Sequence, residues 1–247
     1  MPEVYNKNYI KEAIFRIDYP PILKLINENP STFQEQIIEL FPNIEVIEHV
    51  MRLSIGAIQD AGEVKKIWRF KSRDESRLLE ISPDYLVLID TNYHNFTDFS
   101  TLINQVVTPF QANYSYQFIK RIGLRYVNGI EVPDTLATEA SLNPYLHGSL
   151  LGHLNFVTDK QILKSSNTIE FNYDDQRKVK FRYGLTNDNY PNVLQDSKFT
   201  LDFDCYNTNI IDKIAMSTEL GVLNTIATEY FETSILDGLR VLMRIEE

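Results

Sequence analysis

The sequence predicts an α+β fold of antiparallel sheet with long helices packed on one face. Three observations carry this expectation. Period-two alternation of apolar and polar residues recurs along the 247 residues, and stripes at helical spacing separate those runs. The chain is also rich in sheet-favouring aromatics, with 14 Tyr and 14 Phe.

The first strand is "KEAIFRIDY", residues 11–19, which sets Ala13, Phe15, Ile17 and Tyr19 on one face until Pro20 and Pro21 stop it. The segment 29–42, "NPSTFQEQIIELFP", offers Ser31 as N-cap with Gln34 at capping-box spacing, and Ile37, Ile38 and Phe41 as its apolar side. Four strand-like runs follow at 45–58, 63–72, 76–82 and 84–93, linked closely enough for antiparallel pairing. Residues 95–114 then carry Phe99, Leu102, Ile103, Val106 and Phe110 at helical spacing, with Pro109 expected to kink the helix or end it early.

The second half repeats the plan. "FIKRIGLRYVNGIEV", 118–132, reads as a strand, and the polar stretch 133–148 has room for a short helix at most. Strands are expected at 148–160, 166–174, 177–185 and 198–207. A long amphipathic helix over 217–243 follows, with Leu220, Leu223, Ala227, Tyr230, Ile235, Leu239 and Leu242 on its stripe. Each half therefore reads strand, helix, four strands, helix, which suggests an internal duplication with repeats at 1–115 and 116–247. The order resembles the helix-grip arrangement of the TATA-binding-protein-like fold, itself a tandem repeat. That resemblance is one of element order, so DNA binding does not follow from it.

Composition narrows the function classes. Cys205 is the one cysteine, so an internal disulfide and a cysteine metal cluster are excluded. A formal charge of −10 disfavours a broad phosphate-backbone surface and makes nucleic acid an unfavoured partner. With no leader-like opening and no long apolar run, the chain reads as a cytoplasmic protein without a membrane partner. The sequence contains no phosphate-cradling glycine loop, no H-E-x-x-H and no G-x-S-x-G elbow. His49, His94, His147 and His153 read as structural or surface residues, and no cofactor is expected.

Two constellations could still carry chemistry. Asp202 and Asp204 share a strand face about 6.6 Å apart, a spacing that could hold a divalent metal for phosphoryl or nucleotidyl transfer. Arg121, Arg125, Lys178, Lys180 and Arg182 fall on polar strand faces and could together bind a nucleotide or nucleic acid. Paired with Asp202 and Asp204 the same cations are scaffold, and the balance favours scaffold.

The motif "RIGLRYVN", together with "YIKEAIFRIDY" and with "LDFDCYN" ahead of a long last helix, resembles a sporadically distributed family of bacterial proteins of about this length. That resemblance implies an accessory protein linked to a mobile element or defence locus, and it transfers no catalytic residue. The expectation is a non-enzymatic, antitoxin-like regulator that binds a protein encoded by a neighbouring gene, with self-association as a second possibility. An acidic total suits a basic partner.

Overall fold

The computed structural model describes residues 5–51, 54–55, 58–59, 63–131, 138–156, 162–192 and 198–244. Its first elements are β1 (Ile10–Asp18), α1 (Leu23–Asn27), α2 (Ser31–Ile37), β2 (Asn43–Met51), β3 (Ser54–Ile55) and β4 (Ile58–Gln59). Next come β5 (Glu63–Lys71), β6 (Arg77–Ile81), β7 (Tyr85–Asp90), α3 (Phe96–Asn113), β8 (Phe118–Ile119), β9 (Arg121–Glu131) and α4 (Glu139–Leu142). The chain closes with β10 (Asn167–Asn172), β11 (Arg177–Thr186), β12 (Lys198–Asn207), β13 (Ile211–Asp212), α5 (Met216–Ser234) and α6 (Asp237–Arg244). The protein is α+β with a large antiparallel sheet. It divides into a first compact unit, Ile14–Gly123 with Asn207–Leu220, and a second, Met1–Ala13 with Leu124–Tyr206 and Gly221–Glu247. Among the described residues no helix is long and apolar enough to cross a membrane.

In the first unit the strands run β1-β7-β6-β5-β2, with the four from β7 to β2 antiparallel. Register puts Trp68 beside Ile81 and Val46, and Phe70 beside Leu79 and Ile44, so these residues line one face. Helices cover that face. Phe33 of α2 meets Phe70 edge-on at 5.9 Å and Phe110 of α3 at 5.7 Å, and all three rings are fully buried. Tyr19 stacks on Tyr116 at 5.1 Å, while its hydroxyl lies 2.9 and 2.8 Å from the carbonyls of Ser82 and Tyr85. Each such ring contributes roughly 1.5–3 kcal/mol by burial, and its polar tip is satisfied.

One helix expectation is narrowed by the structure and another is corrected. Pro109 lies inside α3 without ending it, because Phe99, Leu102, Ile103, Val106, Val107 and Phe110 are buried on both sides of it. The loss of one helical hydrogen bond is outweighed by continuity of the apolar stripe. The start of α3 is secured by Asn95, whose side chain accepts the Asp98 amide at 2.9 Å. Ser31 is not an N-cap. Pro30 occupies that position without a side-chain bond, and α2 is held by burial of Phe33 and Ile37.

In the second unit the order is β10-β11-β12-β9-β1. The strand expected at 148–160 is replaced by single turns at Gly148–Leu150 and Gly152–Phe156, residues 157–160 lying outside those described. His147 caps the first turn by accepting the Ser149 amide, and Leu150, Leu151 and Leu154 turn inward at helical rather than alternating spacing. Strand 45–58 is likewise shortened, β2 ending at Met51 before the β3–β4 pair.

The final helix is broken. Between α5 and α6 the backbone turns to meet the segment before Gly148: His147 N–H donates to Ser234 O at 2.9 Å, and Leu236 N–H donates to Tyr145 O at 2.8 Å. Gly238 permits the approach, since a Cβ there would sit 2.5 Å from the Pro144 carbonyl oxygen.

Gly184 is the tightest backbone position. Its φ is +152°, and a Cβ would lie 2.3 Å from Ser165 O. Gly184→Ala is expected to destabilise the protein on the order of 2–3 kcal/mol in urea denaturation. Gly221→Ala, within α5 and with nothing within 4 Å, should instead stabilise by about 0.5–1 kcal/mol.

His153 generates a pH prediction. Ser165 Oγ accepts the Leu185 amide at 2.9 Å and lies 2.9 Å from His153 Nε2, beside the rings of Tyr183 and Phe199. Burial lowers the imidazole pKa, so folding favours the neutral ring. The stability this provides is full above the unfolded value of about 6.5 and is lost as pH falls through the folded value. The stability advantage of wild type over His153→Gln, measured by urea denaturation, should therefore shrink from pH 7.5 to pH 5.

Candidate functional site

Strand alternation builds the charged face of the second unit. On β11, Val179 and Phe181 are buried while Lys178, Lys180 and Arg182 take the other side. On β12, Phe199, Leu201, Phe203 and Cys205 are buried and Asp204 and Tyr206 are half-exposed. Phe181 stacks on Phe203 at 4.5 Å across the neighbouring strands β11 and β12, whose charged rows then lie side by side on the other face.

Asp202 is the centre of that face. Its side chain is 5% exposed, and both oxygens are engaged. Arg125 of β9 donates through Nε to Oδ1 at 2.7 Å and through Nη2 to Oδ2 at 2.8 Å, the planar fork matching the carboxylate. Arg182 adds Nη1 to Oδ2 at 3.1 Å. The hydrogen bond to Asp202 raises the Arg125 pKa further, against burial, with Asp202, Asp204 and Glu12 adding electrostatic attraction.

The neighbouring cations find other partners. Lys180 Nζ lies 3.1 Å from Glu170 Oε2 on β10, and the Tyr206 hydroxyl donates to the same carboxylate. Those bonds, Tyr206 first, hold the Glu170 pKa below the usual range, helped by the charge of Lys178. Exposed pairs of this kind set register more than stability.

The seven residues singled out from the sequence are therefore distributed as follows. Arg125, Arg182 and Asp202 form one cluster, with Asp204 near enough for its charge to act on Arg125, and Lys178 and Lys180 belong to a second around Glu170. Arg121 lies in the first unit, its guanidinium over Gly123, where a Cβ would be 2.8 Å from Nη1. The glycine thus admits its own neighbour's side chain. Asp202 does not stand beside Asp204 as an open acidic pair, since a divalent cation at Asp202 would have to displace two guanidiniums. Among the described residues no three His, Cys, Asp or Glu are grouped to hold a metal.

Sequence reading missed Glu170 and Tyr206, because their role depends on β10 lying outside β11. It also missed the buried Asn128, whose side-chain amide donates to Leu201 O at 3.0 Å.

A second surface lies in the first unit and is apolar. β2 is last in its strand order, so one side of its backbone has no strand partner among the described residues. Ile44 and Val46 share a face with the buried Phe70 and Trp68, yet they are 44% and 52% exposed. The helical cover stops short of them. Ile38, just past the end of α2, is 47% exposed as well. A signal was present in the alternation of Ile44 and Val46 with glutamates.

In comparisons with known proteins, neither a family model nor a curated sequence matches this chain.

Asp202→Asn should destabilise the protein by about 2–3 kcal/mol in urea denaturation, because two guanidiniums lose a charged acceptor. Lys180→Ala should stay within about 0.5 kcal/mol of wild type.

Proposed function

We propose that this chain is a non-enzymatic, cytoplasmic protein-binding accessory. Its character is that of an antitoxin-like regulator, acting on a protein encoded by a neighbouring gene in a mobile-element or defence locus. One observation carries the reading: the apolar face of the first unit's sheet runs uncovered onto the edge strand β2 at Ile44 and Val46. A sheet edge of this kind recruits another chain, since it offers apolar area beside backbone that no strand pairs among the described residues. The net charge of −10 favours a basic partner.

The charged face of the second unit supports the same reading indirectly. Arg125, Lys178, Lys180 and Arg182 sit among Asp202, Asp204, Glu170 and Glu12, so the patch balances its own charge instead of presenting a cationic surface to phosphate. The resemblance of "RIGLRYVN" to a sporadically distributed bacterial family supports an accessory role. The duplicated order and its TATA-binding-protein-like arrangement belong to this proposal too, as the framework that carries the edge strand.

Co-expression with each product of the adjacent genes, followed by size-exclusion chromatography, is expected to yield a stoichiometric complex with one of them. Absence of a complex with every one of them would show the reading to be wrong.

A further inference from the structure

The edge strand and the segment leading into it carry charge of one sign in sequence. Residues 25–51 contain five glutamates, Glu28, Glu35, Glu39, Glu45 and Glu48, and no lysine or arginine. All five are exposed, and Ile26, Ile38, Ile44 and Val46 lie exposed among them at 45, 47, 44 and 52%. On β2 itself exposed Ile44 and Val46 stand with exposed Glu45 and Glu48, a pattern that selects an occupant carrying the opposite charge at matching positions.

Strand geometry says where those positions are. Ile44, Val46 and Glu48 point to the helix-covered side of the sheet, and Glu45 and Ile47 point to the other. Within the sheet Glu45 is 3.4 Å from Lys71, and Glu48 faces Lys66 across the strand pair. Each glutamate thus has a cation on its inner side, and the outer side is where an incoming strand would lie.

We infer that β2 accepts an extended basic segment of the partner protein as an added antiparallel strand. This rests on the protein-binding reading above. The segment reads, from its N-terminus, basic, any residue, apolar, basic, apolar. Its first cation opposes Glu48, its first apolar residue Val46, its second cation Glu45 and its last apolar residue Ile44. Main-chain bonds to the outer side of β2 supply attraction of any sequence, and the alternation supplies the choice. A second copy of this chain fits less well. Antiparallel self-pairing centred on Val46 would set Glu48 against Ile44 and Glu45 against Ile47 of the other copy.

The test uses the full chain and two end-blocked peptides, Thr-Lys-Thr-Val-Lys-Ile-Thr and the same peptide with Glu for both Lys, with binding read by isothermal titration and by amide exchange. The lysine peptide is expected to bind at least about tenfold tighter than the glutamate peptide and to slow exchange at residues 44–48. The double variant Glu45→Lys, Glu48→Lys should reverse that preference, and Val46→Lys should remove binding of both. Binding of neither peptide, or a preference unchanged by charge reversal, would overturn the inference. So would dimerisation in sedimentation that the lysine peptide fails to displace, because the occupant would then be a second copy. A neighbour-gene complex that survives both Val46→Lys and the charge reversal would remove β2 as the dock while leaving the protein-binding reading in place.

Discussion

An antiparallel sheet has one face that must leave water, and the arrangement described here follows from how that face is covered. In the first unit α2 and α3 supply Phe33 and Phe110 to Phe70, and the aromatic cluster around them closes the core. In the second unit the same need is met by α5 together with the inward leucines of the 148–156 turns. The side of each strand turned away from its helices is then obliged to be polar, and its charges have to settle with one another.

That settlement differs from strand to strand because burial differs. Asp202 is nearly sealed, so it requires strong partners and takes two arginines in planar contact. Glu170 is exposed and accepts looser company in Lys180 and Tyr206. A buried carboxylate with two guanidiniums locks the alignment of β9, β11 and β12. A slip of one residue along β12 would turn the carboxylate into the apolar layer. At β2 the logic stops, because the covering helices end before the sheet does. Ile44 and Val46 of that edge stay about half exposed.

Much of this was legible in the sequence where one residue's environment is decided by its own strand. Alternation located β1, β9, β11 and β12 and put Arg125, Arg182 and Asp202 on the polar side. What alternation cannot encode is which strand lies on the far side, and so the pairing of Lys180 with Glu170 of β10 could not be read from the cations and aspartates alone. Helix ends fared worst, for a related reason. The break at Ser234–Leu236 exists because the distant segment Pro144–His147 docks there. The turns at Gly148–Phe156 exist because their leucines find a core to fill. Pro109 shows the reverse case, a strong local stop overruled by a stripe that stays buried on either side.

Cys205 sits in the apolar layer of β12, fully shielded from solvent, and burial pushes its thiol up to about 12. Only the thiolate reacts, so near neutral pH this sulfur is chemically silent while the second unit stays closed. Being the single cysteine of the chain, it makes the protein its own reporter. The rate at which an alkylating reagent marks the native molecule counts the openings that expose β12, one covalent event per chain, with no label to introduce and no second thiol to confuse the count.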